Sequence, residues 1–191
     1  MLIFEVKLIN NMGRRSSKKH VFLTGYMGSG KSTIGSMLSD QMSMRFIDLD
    51  KEIEEDEKVP VSEIFKKKGE DYFRIKESNM LKMIIQKPDA AVIALGGGCI
   101  SDPDNLNAIK NNGLLIYLEA SALTIVKRIK NETIERPLLT QYNTEDALLN
   151  FIESHLNSRL KSYQKADYTI DTNGKSREQI IAELTAIINL K

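Results

Sequence analysis

Residues 25–33 read GYMGSGKST, which matches the spacing G-x-x-x-x-G-K-[ST]. Glycines let a backbone curl until successive N–H groups point inward, and such a nest receives phosphate oxygens. A helix that starts there adds the positive end of its dipole. Lys31 can then reach a β- or γ-phosphate, and the Ser32 hydroxyl can ligate Mg²⁺. A chance match in a chain of this length is expected roughly once in a hundred sequences. The context narrows it further, because the apolar run VFLT precedes the loop and the helically spaced Ile34, Met37, Leu38 and Met42 follow it.

Two further stretches carry unusual chemistry. FIDLD, residues 46–50, ends a short apolar run with two carboxylates, Asp48 and Asp50. In extended chain, positions i and i+2 face the same way, so both acids are expected in one site, one for a metal and one for a phosphoryl acceptor. Asp48 could instead cap a helix starting near Lys51. Neither acid sits at the end of the four-apolar-residue strand that mechanical ATPases and GTPases use, which argues against those classes. Gly96-Gly97-Gly98 follows the continuous apolar run from Ala90 to Leu95. Such a run is either a flexible turn or a place where backbone must approach a ligand closely. Arginine is scarce, eight residues among 27 basic ones, and three of them, Arg74, Arg136 and Arg159, stand in distinctive local patterns. A guanidinium grips carboxylate or phosphate bidentately, whereas an exposed arginine more often forms a surface ion pair.

These groups need a scaffold, and the hydrophobic pattern supplies one. Strands are expected at 21–24, 45–48, 90–95, 114–118 and 168–171. Helices are expected at 31–43, 61–68, 70–86, after Asp102-Pro103, from Ser121 to about 130, from Thr144 to Tyr163, and after the Ser176/Gln179 capping box. Residues 131–143 are polar without clear period and read as a mobile loop. Strands alternating with helices imply a mostly parallel sheet covered on both faces. Ligands then bind beyond the carboxyl ends of the strands, which is where all three unusual stretches fall.

Composition sets the outer limits. The 191 residues suffice for one α/β domain, and a formal net charge of +1 speaks against a general nucleic-acid binder. A lone Cys99 excludes an internal disulfide, and His20 and His155 lack metal-ligand spacing. No signal peptide is read at the start, so a cytoplasmic location is expected.

In order and spacing, GYMGSGKST, FIDLD leading into EIEE, FRIKE, GGG, RPLL and R-x-x-x-Y with Ala166-Asp167 resemble the shikimate kinase family, from about Val21 to Lys175. The resemblance implies a three-layer α/β/α P-loop fold with a five-stranded parallel sheet in the order 2-3-1-4-5 and a lid at about 129–143. It implies ATP-dependent phosphorylation of the shikimate 3-hydroxyl, with Mg²⁺, in aromatic amino-acid biosynthesis. Gly28, Ser29, Gly30, Lys31, Ser32 and Thr33 would hold ATP, and Ser32 and Asp48 the metal. Asp50 would be base or orienter at the hydroxyl, and Arg74 and Arg159 would clamp the carboxylate beside Gly96, Gly97 and Gly98. Lys31, Asp50 and Arg136 are the expected catalytic residues, with Arg136 reaching ATP from the lid. Arg128 and Lys175 would border the adenine. A monomer without nucleic-acid or membrane partners is expected, and the nearest alternative is a related gluconate-type kinase. Two departures stand out. Arg159-Leu-Lys-Ser-Tyr163 lacks the proline that usually follows this arginine, and residues 1–20 are expected to be a flexible extension with no family counterpart and no catalytic role.

Overall fold

The structure, a computed structural model, describes residues 20–130, 142 and 144–190. Its centre is a parallel sheet of β1 (His20–Thr24), β2 (Arg45–Asp48), β3 (Ala91–Ala94), β4 (Gly113–Glu119) and β5 (Tyr168–Asp171), in the order 2-3-1-4-5. The three inner strands are buried almost throughout, while β2 and β5 are partly exposed edges. This is why β1, β3 and β4 read as unbroken apolar runs rather than as alternating ones. Register places Val21 beside Val92 on one side and Leu114 on the other, so the strand ends stay level. The sheet begins at His20, one residue before the expected boundary of the extension; residues 1–19 lie outside the described residues.

Helices cover both faces. Phe22 points to one side, into a core closed by α2 (Leu49–Glu57), α3 (Val61–Ile85) and α4 (Pro103–Asn112). Val21 and Leu23 point to the other, against α1 (Lys31–Met42) and α7 (Arg177–Asn189). A third apolar cluster joins the loop residue Tyr26 to α5 (Ala122–Lys130) and α6 (Glu145–Tyr163). The two helices expected on either side of Gly69 are present within α3 and are broken at Gly69, whose φ of 82° and ψ of 174° are not helical. Capping follows the sequence signals. Asp102 accepts from the amides of Asp104 and Asn105, Thr144 from Ala147, and Ser176 and Gln179 complete a reciprocal box. With leucine and lysine in place of the missing proline, α6 runs unbroken through Arg159 to Tyr163. Among the described residues, no helix is long and apolar enough to cross a membrane.

Candidate active site

The phosphate half of the site is made of backbone. Residues 25–30 leave β1 and turn into α1, with Gly25, Gly28 and Gly30 at φ 147°, 76° and 98°. Those angles are open to glycine and strained for other residues, so the loop cannot be rebuilt from other types without cost. No side chain caps α1, and its first residues, Lys31, Ser32 and Thr33, follow Gly30 directly. Its N-terminal amides are therefore available to an anion. Lys31 Nζ donates to the carbonyls of Gly25 (2.8 Å) and Tyr26 (3.0 Å), which stretches the lysine back over its own loop. Ser29 is buried, while Ser32 and Thr33 are exposed on the first turn of α1.

The carboxylates adjoin that turn. Ser32 Oγ donates to Asp48 Oδ2 at 2.6 Å. Asp48 stands in the capping position of α2, yet it accepts no amide of that helix; its carboxylate is turned to Ser32 instead. A hydroxyl and a carboxylate at this distance suit a hard cation that keeps water and phosphate oxygens as its other ligands. Among the described residues no cluster of three or more histidine, cysteine or acidic ligands exists, so such an ion would rely on those non-protein oxygens. Asp50 does not continue the extended strand as expected: α2 already begins at Leu49, and Asp50 lies in its first helical turn. The two acids nevertheless sense each other. Burial first and the neighbouring Asp48 second push the Asp50 carboxyl up, Lys31 and Arg74 pull it back, and the net value is about 6.

The other half is made of side chains gathered around Gly96-Gly97-Gly98. A methyl group at Gly96 would fall 2.4 Å from Glu77 Oε1 and 2.9 Å from Asp50 Oδ1. At Gly97 it would fall 3.2 Å from Arg159 NH1 and 3.4 Å from the Gly25 carbonyl, and at Gly98 only 2.7 Å from Arg74 NH2. The run is therefore a floor without side chains, over which two acids, two arginines and the phosphate loop meet. Asp50 Oδ1 and Glu77 Oε1 are shut away from solvent with no hydrogen-bond partner. Both are acceptors awaiting donors, since an unpaired buried oxygen costs about 1–3 kcal/mol. Arg74 donates to Glu77 at 2.8 Å and, through Nε and NH2, to Glu70 Oε1 at 3.2 and 2.9 Å. Tyr163 donates through its hydroxyl to the Gly97 carbonyl at 2.8 Å; burial pushes the Tyr163 value up, and Arg159, four residues earlier on α6, lowers it against that push. The Tyr163 ring is fully buried and stacks on Tyr117 of β4 at 4.8 Å.

The remaining expected residues fall differently. Arg128 of α5 donates to the Ser29 carbonyl at 3.0 Å and to Thr172 just past β5, so it pins the phosphate loop to the end of the sheet. Lys175 is ion-paired with Glu183 of α7 at 2.7 Å. Arg136 lies outside the described residues, as does most of the expected lid. Sequence reading missed the part played by Glu77, although it stands three residues after Arg74 within FRIKE, where helical neighbours meet. It also missed Tyr26, whose hydroxyl lies 2.9 Å from Nδ1 of His155.

Comparison with known proteins points in one direction. The family model described as shikimate kinase matches residues 27–189. The shikimate kinase of Persephonella marina is 38% identical over 166 residues, covering 87% of this chain and 96% of its own. A crystal structure of the enzyme from Bacteroides thetaiotaomicron superposes with a TM-score of 0.83 at 31% identity, over 89% of this chain and 98% of that one. The Acinetobacter baumannii enzyme, solved in complex with shikimate, gives a TM-score of 0.79 at 30% identity, with coverage of 91% and 94%.

Proposed function

The chain belongs to the shikimate kinase family, and from that premise we propose that it transfers the γ-phosphoryl group of ATP to the 3-hydroxyl of shikimate, giving shikimate 3-phosphate and ADP in aromatic amino-acid biosynthesis. The observation that carries this reading is the meeting at Gly97. There the Gly25 carbonyl of the phosphate loop and the Arg159 guanidinium both lie within 3.4 Å of where a Cβ would stand on one glycine. A donor site and an anion-gripping acceptor site thus share one rim of the sheet.

Phosphoryl transfer demands alignment and charge neutralisation more than covalent chemistry. The loop amides from Gly28 to Thr33 hold the phosphates, and Lys31 exchanges its two carbonyl partners for phosphate oxygens. Ser32 and Asp48 would hold Mg²⁺, which when bound would supply positive charge against the phosphates. Arg74 and Arg159 bind the acceptor carboxylate. Gly96, Gly97 and Gly98 let it lie against backbone. Asp50, held near neutrality by burial, orients the 3-hydroxyl and takes up its proton, as a base with a pKa near working pH does best. Fixing both reactants can remove ~7–11 kcal/mol from a barrier. Arg136 reaches ATP from a lid at about 129–143 and, with closure, excludes water. Arg128 and Lys175 border the adenine. The protein works as a cytoplasmic monomer on small molecules alone, and residues 1–19 take no part in turnover.

ADP release from Mg·ATP over a panel of shikimate, gluconate and a nucleoside monophosphate tests the assignment. Shikimate should be preferred by at least about a hundredfold in kcat/KM, because mispaired buried polar groups penalise the others. Preference for gluconate would move the protein to the neighbouring reading.

A further inference from the structure

Tyr26 is the second residue of the phosphate loop, and its two ends serve different halves of the site. Its carbonyl accepts from Lys31 Nζ at 3.0 Å. Its ring, 1% exposed, is sunk between α5 and α6, packed with Ile125, Val126, Leu148 and Ile152. Its hydroxyl meets His155 Nδ1 at 2.9 Å, with the rings edge to face at 88°. A buried phenol needs such a partner. Burial holds Tyr26 protonated, pushed up to about 12, and lowers His155, so the hydroxyl is assigned as donor to a neutral imidazole. His155 stands four residues before Arg159 on α6, a spacing that makes them neighbours on one face. Arg159 acts electrostatically on both rings, lowering the Tyr26 and His155 values alike.

We propose that Tyr26 and His155 form a positioning pair that couples the two substrate sites, so that nucleotide at Lys31 sets the guanidinium of Arg159 for the acceptor. The proposal rests on the kinase reading for its two ligands. Phosphate oxygens compete with the Gly25 and Tyr26 carbonyls for the three donors of Lys31. When they win, the loop segment bearing Tyr26 is released at one end while its hydroxyl still holds α6 at the other. Coupling of this kind is reciprocal: whatever factor ADP adds to acceptor affinity, the acceptor adds to ADP affinity.

The test compares the wild type with Tyr26→Phe, His155→Leu and His155→Asn, the last keeping an acceptor in place of Nδ1. Calorimetry gives the dissociation constants of ADP and of shikimate, each alone and with the other saturating. Wild type should show mutual tightening. Tyr26→Phe and His155→Leu should lower the coupling factor by about 3–10-fold, the worth of one hydrogen bond, while in His155→Leu ADP affinity measured alone stays within about twofold. His155→Asn should restore most of the coupling, and the Tyr26→Phe/His155→Leu double variant should lose no more than either single one. A purely structural role would lower melting temperature without moving the coupling factor. A second readout needs no acceptor: ADP alone should displace the ¹⁵N resonance of Arg159 Nε in wild type and not in Tyr26→Phe. If shikimate fails to bind the wild type, the shikimate assignment falls, and the Arg159 resonance still decides the coupling. An uncoupled wild type, or a Tyr26→Phe protein that keeps wild-type coupling and the Arg159 displacement, overturns the proposal.

Discussion

The two halves of the site are built on opposite plans. The phosphate half is nine consecutive residues in which glycine backbone and one helix terminus carry the design. The half proposed for the acceptor takes Asp50 from α2, Arg74 and Glu77 from α3, and Arg159 and Tyr163 from α6, and lays them on a floor of three glycines. Backbone binding is local, sequence-tolerant at the variable loop positions and indifferent to what receives the phosphate. Side-chain binding is long-range and depends on several buried charges balancing one another. Donor recognition should therefore fail all at once, and acceptor recognition by degrees.

Breaking the phosphate half gives the largest effect. Lys31→Met removes the one side-chain cation of the loop and should lower kcat about 10²–10³-fold or more; near-normal turnover would take Lys31 out of the chemistry. Asp50→Asn should cost about 10²–10⁴-fold in kcat, and unlike Lys31→Met it should raise stability. The Asp50 value is lifted from 3.8 to about 6 in the fold. The folded state thus holds the proton more tightly, so its stabilising contribution is complete below about pH 4 and is lost as pH rises through 6. Above that, wild type should be less stable than Asp50→Asn by on the order of 2–3 kcal/mol, with the gap closing toward pH 4. Paired melting curves at pH 4.5 and 7.5 measure it, and a gap independent of pH would contradict the buried-charge account. The same ionisation should place an acidic limb near pH 6 in kcat/KM.

Arg159→Ala sharpens the contrast between the halves. Loss of one charge-assisted hydrogen bond is worth about 1.5–3 kcal/mol, so the KM for shikimate should rise about 10–150-fold while that for ATP changes little. A variant with unchanged shikimate KM would remove Arg159 from the clamp. Deleting residues 1–11 should have the smallest effect, with kcat/KM within about twofold of wild type, since surface changes away from a site are near neutral. A large loss in a folded protein would give the extension a role.

How much was legible in the sequence follows the same division. The strands and the capping residues could be read because inner parallel strands are apolar throughout and caps are local signals, whereas the strand order came only from the family resemblance. The phosphate loop could be read because its physics is contiguous. The direction of Asp50 could not, since nothing in FIDLD says that the strand ends at Asp48 and the helix begins one residue later. Glu77 was visible as a helical neighbour of Arg74, but its burial depends on Gly96 arriving from β3. The Tyr26–His155 contact joins residues far apart in the chain and has no local signature at all.

Direct transfer requires that the proposed donor and acceptor sites open into one another. Parallel measurement of ADP and phosphorylated product by ³¹P NMR, with Mg·ATP and with or without shikimate, tests it most directly. The account predicts one shikimate 3-phosphate per ADP and negligible ADP release when shikimate is absent. ADP release at the same rate without shikimate, or in excess of the phosphorylated product, would contradict it.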